Sequence, residues 1–379
     1  MHRNVALLGL VSLLTDIASE MVYPLVPLYL TAVLGASPSV LGLIEGIAES
    51  LASLLKVFSG QISDKFARRK PLAIIGYGLS AVGKVLFVVA TSWTGIFWAR
   101  VSDRFGKGIR TAPRDAIIAE SVEGGSRGRA FGLHRAMDTA GAVIGIGLAY
   151  WLFTHYQGEY SLVFLIAVVP AVLGTALLLL VSESGRGVPA AAKKAVFAWS
   201  SLDGKLRRFI LITFLFNLGN SSNQFLLVKA GTAGFPPEQV ILLYLLMNIS
   251  YFVISYPAGL LSDRLGRRGL LVSGYALYGL VYLGFALSQA AWHYIALFAV
   301  YGLYIGLTDG VEKALLADIA PTEQKATVFG LHAMTVGVAL LPASLLAGVL
   351  WDALGAAAPF WFGGITGLLA AAGFWTVLR

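Results

Sequence analysis

Runs of eighteen or more apolar residues recur from one end of this chain to the other, and that feature leaves few folds open. A run of this length crosses a hydrocarbon layer of about 30 Å as an α-helix. Within lipid an unpaired backbone amide has no water to turn to, so irregular spans are excluded. Apolar residues make up 57% of the 379 and charged residues only 13%, whereas a soluble domain carries about 25% charged residues. The expectation is an all-α membrane protein.

Cutting at the polar and Gly/Pro-rich breaks gives twelve transmembrane helices, near 5–34, 39–62, 71–91, 94–119, 128–154, 160–182, 208–232, 238–261, 270–289, 292–318, 326–351 and 358–378. The first begins almost at Met1, is longer than the core of a signal peptide and lacks a small-residue cleavage pattern, so it reads as a retained helix. The loops "SDKFARRKP", "ESVEGGSRGR", "SDRLGRRG" and "DIAPTEQK" and the 183–207 connection all carry Lys or Arg. The opposite loops, "GASPS", "TSW", "THYQGEYS", "TAGFPPEQ", "SQAAWHY" and "DALGAAAP", carry none. Basic residues collect on the cytoplasmic side, which puts both termini there. The same placement explains the net charge of +8 without invoking nucleic acid. The expected domains are a first six-helix bundle at 1–182, a cytoplasmic linker at 183–207 and a second bundle at 208–379.

The chain also repeats itself. "FGLH" occurs at Phe131–His134 and again at Phe329–His332, a shift of 198 positions. The same shift carries "RDAIIAE" (Arg114–Glu120) onto "EKALLAD" (Glu312–Asp318), and with one residue of slack "GQISDKFARR" falls on "GLLSDRLGRR". Parallel six-helix repeats joined by an inside linker resemble the major facilitator superfamily of secondary transporters. The loop after the second helix sharpens the resemblance, with Gly60, Asp64, Lys65, Arg68, Arg69 and Lys70; Ala67 stands where the family pattern has glycine, and Gly266 keeps it in the later copy. The drug-antiporter patterns are missing: "VSDRFGKG" follows Arg100, and Ile146 rather than proline follows Gly145.

The resemblance implies two pseudo-symmetric bundles and a conformational switch. By position, Asp64 would face the start of the eleventh helix and Arg68 would pair with Glu120. Asp263, Arg267, Arg268 and Asp318 would mirror them in the second copy. Gly132 and Gly330 are expected to allow close helix approach. His134 and His332 read either as packed, satisfied side chains, the reading preferred, or as proton sensors.

Charges at bilayer depth cost at least about 2.5 kcal/mol each, so they must face a partner, a cavity or a pathway. Asp16, Glu20, Tyr23 and Pro27 form one stripe of the first helix, and Glu45, Glu49 and Lys56 lie similarly on the second. Arg100, Arg104, Lys107, Arg110 and Arg114 fall on one face of the fourth helix, beside Asp103. Two readings are open and compatible: a salt-bridge network from this face to Glu45, Glu49, Asp16 and Asp138, and a site that binds an anion or exchanges protons. Asp16, Glu20 and Glu49 are the coupling candidates, with Arg100 and Arg104 for substrate or counter-ion. The second half offers Asn217, Asn220 and Gln224 as a polar stripe on the seventh helix. It adds Asn248, Tyr251 and Ser255 on the eighth and Tyr301, Tyr304 and Thr308 on the tenth, with Asp309, Glu312 and Lys313 as a local pair set plus one functional acid.

No cysteine, His-x-x-x-His, His-Glu-x-x-His or Gly-x-x-x-x-Gly-Lys-Ser/Thr pattern is present, so neither enzyme, metal nor cofactor is expected. The reading is a monomeric, proton-coupled transporter of the bacterial inner membrane, working by alternating access on a small-molecule substrate and protons. Efflux of a small organic compound leads, with uptake of an organic anion second and a non-transporting membrane scaffold or sensor as the alternative of another class.

Overall fold

The structure, a computed structural model, describes residues 3–66, 69–122, 126–182, 202–320 and 325–377. Arg68 and most of the 183–207 connection lie outside the described residues, as do the side chains of Asp64 and Asp263. Among the described residues there is no strand. The helices are α1 (Arg3–Val22), α2 (Val26–Leu28), α3 (Pro38–Phe66), α4 (Arg69–Val89), α5 (Trp93–Glu120), α6 (Arg127–His155), α7 (Tyr160–Leu177), α8 (Gly204–Gly219), α9 (Gln224–Thr232), α10 (Pro237–Leu265), α11 (Arg267–Leu287), α12 (Ala291–Ile319), α13 (Lys325–Leu354) and α14 (Ala358–Val377). They make twelve membrane spans, because two spans are each broken in two.

The first break follows from proline. Pro24 and Pro27 have no N–H to give to the preceding turn, so α1 stops at Val22 and α2 passes into a π-turn at Tyr29–Val33. The second follows from short polar side chains that compete for the backbone. Ser222 Oγ accepts the Gln224 N–H at 3.3 Å, and the Ser222 N–H donates to Ser344 Oγ at 3.2 Å. Asn220 therefore sits in an irregular turn and not on a helix face, and the stripe expected from Asn217, Asn220 and Gln224 is interrupted.

Nine spans among the described residues are long and apolar enough to cross a bilayer by length and composition. The remaining three, α3, α5 and the α8/α9 pair, are those whose apolar run is interrupted by charge or by a break. Contacts divide the chain into two compact units. One comprises Met1–Ala36 and Ile47–Lys193, the other Ser37–Gly46 and Lys194–Arg379.

In the first unit α4 packs along α5, and α1 along α6 and α7. Small residues set these approaches. A Cβ on Gly83 would lie 2.8 Å from the Ala99 carbonyl oxygen and 3.0 Å from Asp103 Cβ, and one on Gly106 would lie 2.7 Å from the Ser80 nitrogen. Gly141 and Gly145 let α6 meet α1, where added Cβ atoms would reach the Leu13 and Ile17 carbonyls at 2.5 and 2.6 Å. Gly132 and Gly330 do not have the expected role: a Cβ on either would meet nothing within 4 Å. Both stand near the start of their helices, α6 and α13. In the second unit α11 packs on α12 and α14, α10 on α12, and α8 on α13 and α14.

Candidate functional site

The first unit holds its charges in one connected cluster. Ser92 caps α5 by accepting the Gly95 N–H at 3.3 Å, and the helix carries Arg100, Asp103 and Arg104 inward, all buried. Because Gly83 lets α4 come close, the adjacent Lys84 reaches Asp103, with Nζ 2.9 Å from Oδ1. Lys84 was not anticipated from sequence, although a lone lysine in an apolar helix is the kind of signal that marks such a site. Asp103 Oδ2 also lies 3.9 Å from Arg100 Nη1 and 3.8 Å from Arg104 Nε.

Glu49, from α3, bridges the two arginines. Its Oε1 accepts from Arg100 Nη2 at 3.4 Å and stands 3.2 Å from Arg104 Nε. Both guanidiniums lie over the ring of Tyr23, at 5.1 and 6.0 Å from its centroid. Tyr23 opens the break between α1 and α2, so the irregular turn is what presents the ring. The expected basic face of α5 divides. Arg110 turns to α4, donating to Ser80 Oγ at 2.5 Å and covering Tyr77, while Arg114 pairs with its neighbour Asp115 at 2.8 Å.

A second polar knot joins α1 to α6. The Asp16 and Asp138 carboxyls lie side by side, Ser12 donates to Asp138, and Arg135 lies 3.6 Å from it. Glu20 packs one turn further along, beside Gly145. His134 is buried next to this knot, and its Nε2 has no hydrogen-bond partner among the described residues.

The second unit is built from neutral groups. Tyr278 and Tyr282 of α11 pack against Tyr301 and Tyr304 of α12, while Tyr275 packs on Phe216 and Phe374, all buried. Tyr278 donates to the Gly219 carbonyl at 2.8 Å and Tyr301 to Asn223 Oδ1 at 2.7 Å, so both are fastened to the edges of the α8/α9 break. Glu45 belongs to this unit and accepts from Ser222 Oγ at 3.1 Å. Gln224, wholly buried at the start of α9, has neither side-chain polar atom bonded among the described residues.

Asn217 and Asn248 donate to carbonyls of their own helices, those of Thr213 and Tyr244, at 2.8 Å. Tyr304 joins the aromatic wall. Asp309 pairs locally with Lys313 at 2.6 Å on an exposed stretch of α12. Glu312 meets His332 Nε2 at 2.7 Å, so that histidine is satisfied by a carboxylate. Among the described residues no group of three His, Asp or Glu side chains is placed to hold a metal ion.

The sequence matches the family model of the Major Facilitator Superfamily over residues 8–247 and 209–379. The chain belongs to the major facilitator superfamily. Among curated relatives, an uncharacterised MFS-type transporter of Methanocaldococcus jannaschii is 39% identical over 360 residues, 93% of this chain and 89% of that protein. The multidrug resistance protein MdtH of Photorhabdus laumondii is 30% identical over 144 residues, 38% of this chain and 36% of its own length. A crystal structure of the nucleoside transporter NupG superposes over all of both chains with a TM-score of 0.83 at 13% identity. A POT family transporter in complex with 5-aminolevulinic acid gives 0.82 at 12% identity over 98% of this chain and 95% of that one. At such identities these two structures show a shared fold. The chain is thus a multi-pass membrane transporter.

At the motif loop Arg69 pairs with Glu120, while the expected Arg68 lies outside the described residues. In the second copy Arg267 binds Asp318 at 2.5 Å and the Ala314 carbonyl at 2.7 Å, while Arg268 donates to the Trp375 carbonyl and covers that ring. Gly60 faces α5 at an ordinary contact distance from Ala112.

Proposed function

We propose that this chain is a proton-coupled secondary transporter that works by alternating access and exports a small organic compound. It would act as a monomer in the bacterial inner membrane, with six spans in each half and both termini in the cytoplasm. The observation that carries the reading is the pair of buried polar clusters in the first unit, Lys84–Asp103–Arg100–Arg104–Glu49 and Ser12–Asp16–Asp138. Charges at this depth are costly, and ones that exchange partners during a cycle repay that cost by carrying protons or cargo. Asp16, Glu20 and Glu49 are the acids for coupling, and the tyrosine wall with Gln224 gives cargo an uncharged surface. The MdtH resemblance favours efflux over its partial length. The alternative, proton-coupled uptake of an organic anion, has the Arg100–Arg104 pair in its favour.

The test uses everted membrane vesicles containing the protein, energised to acidify their lumen, and a panel of ethidium, Hoechst 33342, benzoate and nucleosides. At least one compound should collapse the proton gradient in wild-type vesicles and fail to do so with Asp16→Asn. Identical behaviour of wild-type, Asp16→Asn and empty vesicles across the panel would refute proton coupling.

A further inference from the structure

The second unit buries a polar group that the protein's own hydrogen bonds leave unused. Gln224 is 0% exposed at the start of α9, and neither its side-chain oxygen nor its side-chain nitrogen is bonded among the described residues. A buried amide in that condition has given up its hydration with nothing in return, so it lowers stability for as long as it stands idle. Ser222 and Asn223, just before it, are tied down. Ser222 Oγ donates to Glu45 Oε2 at 3.1 Å and accepts the Gln224 backbone N–H at 3.3 Å, the Ser222 N–H donates to Ser344 Oγ, and Tyr301 donates to Asn223 Oδ1.

Gln224 follows directly on the irregular turn between α8 and α9. Irregular backbone at membrane depth persists where protein buries it or where it lines a passage. Asn220 and Asn223 of this turn are half-buried, while Ser221, Ser222 and Gln224 are buried, so the idle amide stands just behind the accessible edge of the turn. The chemistry of a primary amide then selects its partner, since its oxygen accepts and its NH2 donates, side by side in one plane. A carboxylate or phosphate would satisfy the NH2 and set its own oxygen against Oε1; an ammonium would do the reverse. A compound with an N–H beside a C=O satisfies both atoms at once.

We propose that Gln224 is a specificity-determining residue for the cargo: it pairs with an uncharged compound through an amide, lactam or imide edge, Oε1 accepting the compound's N–H while Nε2 donates to its carbonyl oxygen. This rests on the transporter reading and names the chemical class that the uncharged surface of the second unit takes. Neutral cargo leaves the acids of the first unit to the proton, in keeping with export against an inward proton flow. The stability lost to the idle amide is then the cost of a site kept ready for its ligand.

Thermal melting of the purified full-length protein tests the proposal, with benzamide, caprolactam and uracil as probes. Their fully N-methylated counterparts keep the carbonyls and lose every N–H. At least one probe should raise the melting temperature saturably, and its methylated counterpart should need about tenfold more or greater for the same shift. Gln224→Met, close in shape and without the paired polar atoms, should melt a few degrees higher than wild type in the absence of any probe, and it should lose the response.

No response to any of the three probes, or equal stabilisation by a probe and its methylated counterpart, would overturn the assignment. So would a lower melting temperature or aggregation of Gln224→Met, which would show the amide to be bonded within the fold. The broader reading fails separately. A compound without an N–H beside its carbonyl that collapses the proton gradient in vesicles, while none of the probes stabilises the protein, would leave the transporter intact and remove the amide recognition.

Discussion

Lys84 and Asp103 are each other's main counter-charge at a depth where neither can reach bulk water. Removing one partner of such a pair leaves a buried charge uncompensated, at a cost of about 3–5 kcal/mol. Lys84→Met should therefore lower the melting temperature of the purified protein sharply. The double variant Lys84→Met/Asp103→Leu should recover much of the loss, because two apolar groups of similar size demand no compensation. If the double variant melts no higher than the single one, the two side chains stabilise the fold through other partners.

Reading single residues from sequence worked where depth alone was informative. Arg100, Arg104, Glu49 and Asp103 stand out because lipid penalises any charge, and the structure joins them. Lys84 was missed because α4 otherwise reads as a plain apolar span; its importance comes from the proximity of α5, which depends on a glycine next door. The placement of Gln224 was equally hidden, since it depends on a break that a polar stripe at helical spacing does not reveal.

At the scale of helices, glycine position decides which contacts are tight. Gly83→Val would drive side-chain atoms into the Ala99 carbonyl and Asp103, and overpacking of this kind costs about 1–3 kcal/mol. Gly132→Ala meets nothing within 4 Å and replaces the poorest ordinary helix former with the best, a gain of up to about 1 kcal/mol. Thermal unfolding of the two variants should move in opposite directions. A fall in both would show that Gly132 faces a neighbour.

The element boundaries were legible because length and apolarity leave lipid-spanning helices little freedom. The two broken spans were not. Pro24 and Pro27 lay in plain view inside the first run, but proline is tolerated in membrane helices when neighbours satisfy the freed carbonyls, so its presence alone does not announce an interruption. The Ser221–Ser222–Asn223 turn is set by Ser344 and Tyr301, side chains far away in the sequence. The helices least like membrane spans in composition, α3 and α5, supply the charged cluster. Composition and function pull against each other in those helices, since the charges that serve the site lengthen the odds against insertion.

For the molecule as a whole, the repeat of 198 positions fits the structure more closely than it fits the motif. Arg69–Glu120 and Arg267–Asp318 are related by that shift at both ends. Each pair ties the start of one helix to the end of another at the basic-loop side. Arg69→Glu alone should lower transport in vesicles several-fold, and Arg69→Glu/Glu120→Arg should restore most of it. Failure of the reversed pair to rescue would show that the arginine has a further partner.

The same shift places Tyr282 and Tyr301 where the first half has Lys84 and Asp103, and Tyr278 where it has Ser80. One scaffold thus carries an ionic interior in one copy and an aromatic, hydrogen-bonding interior in the other.

The two interrupted helices obey the same spacing. Tyr23–Leu25 in the first copy corresponds to Ser221–Asn223 in the second, so both copies break their first span at the equivalent place. The causes differ, prolines in one copy and serines in the other, while the break is common to both. A machine assembled from two such segments has a matched joint in each half, where backbone freed from the helical ladder can turn without unwinding a neighbour.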